Sequence, residues 1–123
     1  MTCPIYINVQ TTYIEAQSRP AQARFVYAYT ITIKNRGDAP AQLISRHWII
    51  TDANDKVQEV KGDGVVGEQP RLLPGQEYRY TSGVILETET GTMQGSYQMQ
   101  TDDGNCFDAP IPVFVLIPPH AIH

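Results

Sequence analysis

A period of two runs through most of this sequence and limits what it can fold into. Between Arg24 and Lys34 the odd positions read Phe25, Tyr27, Tyr29, Ile31, Ile33, and the even ones Arg24, Val26, Ala28, Thr30, Thr32, Lys34. Successive side chains of an extended strand point to opposite faces, so this is a half-buried antiparallel strand. Ile5, Ile7 and Val9 repeat the pattern, as do Tyr78, Tyr80, Val84 and Leu86 around Ser82, and Met93, Tyr97 and Met99 around Gly95. Turn chemistry separates the runs at Asn35-Arg36-Gly37-Asp38, Asn54-Asp55, Pro74-Gly75, Thr90-Gly91 and Asp103-Gly104. No stretch sustains a 3.6-residue period, and the best helical candidate, 16–24, is broken by Pro20. Short strands at such spacing predict an all-β sandwich or barrel of about seven to eight strands.

Two runs depart from simple alternation. Leu43–Thr51 is apolar on both faces apart from Ser45, Arg46 and His47, which predicts a central strand covered on both sides. It carries Trp48, the sole tryptophan, and one tryptophan on a middle strand is a common core anchor of immunoglobulin-like sandwiches. Trp48, Tyr29, Tyr80 and Tyr97 are the expected aromatic core. In the last strand Val113, Val115 and Ile117 share one face, Phe114 and Leu116 the other. One face can enter the core; the second must meet a loop, another subunit or a partner.

At 123 residues the chain fits one domain, 1–123, with a core over about 5–118 and a tail at 119–123. The formal charge is −4 with no basic run, which argues against a nucleic-acid groove, since tracking phosphates needs clustered Lys and Arg. The longest apolar stretch, 111–117, is interrupted by Pro112 and too short to span a bilayer. No positive n-region precedes an apolar segment near Met1, so the expectation is a cytoplasmic domain without a membrane partner. Cys3 and Cys106 read as two reduced, partly buried thiols; parallel pairing of the first and last strands would make them neighbours.

The motifs give chemistry little support. Gly62-Asp63-Gly64-Val65-Val66-Gly67 fits GxGxxG, but Glu68-Gln69-Pro70 follows where a dinucleotide site needs a helix. The loop reads as a glycine-shaped connector with positive φ at one or more of Gly62, Gly64 and Gly67. The alternative is a nest of backbone amides for phosphate or pyrophosphate, with Lys61 and Arg71 offsetting Asp63 and Glu68. Counting from Asp52, an EF-hand fails at Val57 and Asp63, so 52–55 reads as a hairpin turn. His47 lacks a recognisable nucleophile, and it lies on the opposite face from Arg46, which shares Trp48's face and should stack on an aromatic or cap a carboxylate. His120 and His123 fall in the expected frayed tail. No catalytic residue, metal ligand set or cofactor is indicated.

One resemblance covers nearly the whole chain. Ser45-Arg46-His47-Trp48-Ile49-Ile50-Thr51-Asp52, the run 60–70 from Val60 to Pro70, Leu73-Pro74-Gly75, Tyr80-Thr81-Ser82-Gly83, Gly91–Tyr97 and Ile111-Pro112-Val113-Phe114 together resemble the ApaG family. The resemblance implies a fibronectin-type-III-like or immunoglobulin-like β-sandwich, a bacterial stand-alone form of a domain also appended to some F-box proteins and to a DNA-polymerase-delta-interacting protein. It also implies an association with cobalt tolerance and magnesium efflux, and proximity to a diadenosine tetraphosphate hydrolase, but no settled activity. The chain departs from the family at Asn54-Asp55, where Gly is common, which bears on the turn type alone.

These readings converge on a non-enzymatic binding module, monomer or homodimer, meeting an unidentified protein partner through the loop 61–76 and an apolar sheet face. Val65, Val66, Leu72 and Leu73 are too apolar for a freely solvated loop, so they must pack on the sheet or on a partner. The candidate contact residues are Gly62, Gly64, Val65, Val66, Gly67, Glu68, Gln69 and Pro70. The alternative occupant of the same loop is a phosphate-containing small ligand or a divalent cation.

Overall fold

A computed structural model describes residues 3–121. Eight strands form among the described residues: β1 (Ile5–Tyr13), β2 (Phe25–Asn35), β3 (Ala41–Asp52), β4 (Val57–Asp63), β5 (Arg71–Leu72), β6 (Glu77–Leu86), β7 (Gly91–Thr101) and β8 (Cys106–Leu116). They make two antiparallel sheets. One has the order β1-β2-β6; the other runs β4-β3-β7-β8, with β5 paired to the start of β3. The 16–24 segment is not an α-helix. Pro20 divides it into two short 3-10 turns, Glu15–Gln17 and Pro20–Gln22.

The core is the sum of the inward faces that alternation marks. Tyr27, Ile31, Ile33, Leu43, Met93, Tyr97, Met99 and Leu116 are fully buried, and the other three expected aromatics, Trp48, Tyr29 and Tyr80, join Tyr97 in the core. Trp48 stands edge-on to Tyr29, Tyr97 and Phe114 at centroid distances of 5.5, 6.3 and 5.9 Å, the geometry that opposes ring edge to ring face. Trp48 pairs with Gly95 in the neighbouring strand. A Cβ on Gly95 would overlap the His47 carbonyl oxygen, so β3 and β7 approach where glycine alone fits.

Two bulges re-aim side chains. One lies between Leu43 and Ser45 in β3, the other opposite Met93–Gly95, where Pro112 and Val113 both face solvent between inward Ile111 and half-buried Phe114. The outer face of β8 therefore stays open, with Val113 and Val115 58% and 54% exposed. At the departing turn, Asp55 takes φ 62° and the Asp52 carboxylate accepts from the amides of Asn54 and Lys56, an Asx turn that replaces the glycine solution.

Three expectations need correction. Cys3 and Cys106 are exposed, not partly buried, and they are free. They do not become strand neighbours, because β1 pairs with β2 and β8 with β7 in different sheets. The tail is not frayed at His120: it lies in a 3-10 turn, Pro119–Ala121, stacks edge-on against Tyr13 and sits 3.6 Å from the Glu89 carboxylate. His123 lies outside the described residues.

Candidate functional site

The glycine motif does not form one loop. Gly62 sits inside β4 without positive φ, paired with Arg46. Its missing Cβ leaves room for the Arg46 guanidinium, whose nearest nitrogen lies 2.9 Å from where that Cβ would stand. Arg46 neither stacks nor caps a carboxylate, as was expected of it. Its Nη1 donates to the carbonyls of Asp63 and Gly64, at 3.0 and 2.8 Å, and so pins the point where the chain leaves β4.

A tight hairpin follows. Val65 and Glu68 exchange both backbone hydrogen bonds, at 2.8 and 2.9 Å, with Val66 and Gly67 as the two turn residues. Both have positive φ, 44° and 81°, the signature of a type I′ turn. Gly64 also takes positive φ, 63°, and a Cβ there would overlap the Glu68 carbonyl. The expected positive φ thus falls on Gly64 and Gly67, and the third position is Val66 rather than Gly62.

The motif's side chains divide between core and solvent. Val65 is buried at 1% exposure and belongs to the core, as does Leu72. These two pack on the sheet and offer a partner nothing, which removes Val65 from the candidate contact. Val66 and Leu73 point outward, 56% and 46% exposed. Gln69 donates from Nε2 to the Ile44 carbonyl and accepts from Gln42 at its own, and the Pro70 carbonyl takes the Leu43 amide. These bonds fix the base of the hairpin to β3 and leave Val66, Gly67 and Glu68 as its free tip.

As a phosphate nest the hairpin is poorly equipped. The amides of Gly64, Val65 and Glu68 already donate within the protein. Of the expected offsetting cations, Arg71 is bidentate to Asp102 and Lys61 lies 3.6 Å from Glu59. The Arg71 hydrogen bonds hold the Asp102 carboxyl below the usual carboxylate range. No group of His, Cys, Asp and Glu among the described residues is arranged to hold a metal ion.

His47 lies on the outer face, 2.6 Å from Glu59, and its hydrogen bond and the Lys61 charge hold the Glu59 carboxyl low. Ser96 stands opposite His47 in register, but its hydroxyl accepts from Gln98, which also accepts from Ser45. The row is a polar sheet surface with each partner already bonded.

A second feature escaped sequence reasoning. Between β6 and the inner face of β3 and β4 lies a cleft of about 520 Å³ whose lining includes Arg24, Arg46, Tyr29 and Trp48. No periodicity marks it, because it arises from a mismatch between sheets and not from one segment.

Fold and site define an antiparallel sandwich of the immunoglobulin and fibronectin-type-III kind, with a rigid hairpin projecting from the larger sheet. The chain belongs to the ApaG domain family, whose domain (DUF525) matches residues 15–101. Protein ApaG of Thiobacillus denitrificans is 61% identical over 119 residues, covering 97% of this chain and 94% of that protein. Protein ApaG of Azoarcus sp. is 56% identical over 122 residues, covering 99% and 96%. The crystal structure of the Bordetella pertussis protein designated ApaA superposes with a TM-score of 0.92 at 49% identity, covering 95% of each chain.

Proposed function

We propose that this ApaG-domain chain is a cytoplasmic, non-enzymatic binding module that meets a protein partner through the Val66–Glu68 hairpin tip and the open outer face of β8. The carrying observation is Val66. A β-branched residue with φ near +44° is strained, by about 1 to 3 kcal/mol, and type I′ turns favour Asn-Gly at these two places. Here an apolar, 56% exposed side chain occupies the position where asparagine would fit better. Strain held at an exposed apolar tip is the pattern of a contact residue.

The outer face of the larger sheet supplies a second apolar area. Val57, Thr51, Thr92 and Val115 stand in one cross-strand row, with exposed Val113 beside it. The absence of catalysis in this reading is supported by the committed hydrogen bonds of Ser45, Ser96 and His47. The family association with cobalt tolerance and magnesium efflux is then indirect, through the partner, and calorimetry with pyrophosphate or Co²⁺ at millimolar concentration should register no heat of binding; a saturable heat would favour the small-ligand reading instead.

Val66→Asn tests the reading, because stability and binding move in opposite directions. The isolated variant gains about 1 kcal/mol, a rise in Tm of roughly 3 °C, while partner capture from lysate of the native host is lost. Capture by Val66→Asn equal to that of the parent removes the tip as the contact. Val113→Ser/Val115→Ser, at exposed positions, reports separately on the sheet face.

A further inference from the structure

The two sheets are unequal. The smaller one, β1-β2-β6, ends at β6, whereas the larger one continues past β3 to β4. The inner face of β4 is accordingly only half covered: Val60 and Gly62 are intermediate and Gln58 is exposed. The cleft of about 520 Å³ fills this gap. Its lining has a regular order. From β6 come four successive residues, Ser82 to Ile85, which is what an edge presents. From β3 and β4 come alternate residues, Arg46, Trp48, Ile50 and Gln58, Val60, which is what a face presents. The cleft is therefore a slot for one strand, with a free sheet edge as its wall and a side-chain floor beneath.

The chemistry of the slot is cationic. Arg24 and Arg46 line it and no Asp or Glu does, in a chain whose net charge is −4. Neither arginine forms an ion pair among the described residues; the Arg46 Nη1 holds the loop carbonyls, and its Nη2 and Nε donate to nothing there. The acids Asp52 and Glu87 line an adjoining recess of about 40 Å³, which shares Ile50, Gln58 and Ile85 with the slot, and there Glu87 is paired to Lys56. From Thr81 to Leu86 the β6 edge has no charge and no proline, the devices that usually discourage strand addition.

We infer that this slot receives an extended, acidic peptide segment of a partner protein, which adds to β6 as the missing fourth strand and sets a carboxylate on Arg46. Edge pairing satisfies the β6 backbone groups, and every second side chain of the guest faces the floor. A guanidinium with unspent donors selects a carboxylate at the guest position above Arg46, and half-buried Val60, with the slot-facing edges of the core residues Tyr29 and Trp48 beside it, takes the apolar neighbours two residues away. This site is separate from the Val66 tip.

Panning a library of random linear heptapeptides on the intact chain tests the inference. The expected binders carry Asp or Glu at one fixed place with apolar residues two positions to either side. As Trp48 is the sole tryptophan and lines the slot, a synthetic binder shifts its emission. Changing the acid to its amide weakens binding by about tenfold or more. Arg46→Gln loses the same factor and no longer distinguishes acid from amide. Since Arg46 also anchors the hairpin, Ile85→Glu, at a 50% exposed position, provides a second variant that melts like the parent and repels the peptide. Val66→Asn leaves peptide affinity unchanged, which separates this site from the tip. No binders, binders without an acid, an unmoved Trp48 spectrum, or unchanged affinity in Ile85→Glu overturns the inference. So does a concentration-dependent dimer that Ile85→Glu abolishes, because a second copy then fills the slot.

Discussion

At the scale of single residues, the inter-sheet contact depends on a buried pair of hydroxyls. Tyr80 and Tyr97, one from each sheet, meet at 2.6 Å in the core. Removing one hydroxyl leaves the other buried without its partner, which costs about 1 to 3 kcal/mol, whereas removing both restores an apolar contact of similar shape. Tyr97→Phe and Tyr80→Phe should each lower stability in urea by that amount. The double variant should lose much less than their sum, and a strictly additive double-mutant cycle would show that the bond carries no coupling. The alternation in β6 and β7 places both rings inward from sequence alone, but their pairing is a relation between sheets that no local pattern encodes. Arg46 shows the same limit. Its inward side follows from its spacing to Trp48, while its partners, two carbonyls of the Asp63–Gly64 turn, become neighbours only when β3 and β4 pair.

At the scale of elements, glycine positions separate close packing from turn geometry. Gly95→Ala would push a methyl into the His47 carbonyl and separate β3 from β7. The expected loss is about 3 kcal/mol or more, a fall in Tm of roughly 10 °C. Gly67→Ala meets open space at φ 81° and should cost only about 1 kcal/mol, the penalty of the left-handed backbone. Thermal melts of the two variants check this order, and equal losses would contradict the close approach of β3 and β7. The strands themselves were legible because period two runs through most of the chain. The glycine motif was not, because GxGxxG describes spacing and not partition. The sequence marks Val65 and Val66 alike as too apolar for a freely solvated loop, yet which one enters the core depends on the I′ turn at Val66-Gly67 that reverses the chain. The slot beside β6 was hidden for a related reason: Ser82-Gly83-Val84-Ile85 reads as an ordinary strand, and nothing local says that it is the last of its sheet.

At the scale of the whole molecule, the buried tyrosines tie the fold to alkaline pH. Burial pushes the Tyr27 hydroxyl up to about 12, and desolvation in the core raises those of Tyr80 and Tyr97 further. In the unfolded chain all three ionise near pH 10. Below that pH both states hold the protons and the stabilisation is complete. Above it the unfolded state releases protons that the folded state keeps, so stability falls as pH rises, by up to about 1.4 kcal/mol per pH unit for each such tyrosine. Because these rings bridge both sheets, the loss should be cooperative. The phenolate absorbance of Tyr27, Tyr80 and Tyr97 should therefore appear only together with the collapse of the β circular dichroism. The Tyr80→Phe/Tyr97→Phe variant, with two fewer groups to ionise, should hold its fold to higher pH than the parent. Ionisation of Tyr27, Tyr80 and Tyr97 before any change in circular dichroism would mean that the two sheets do not bury these rings as one body.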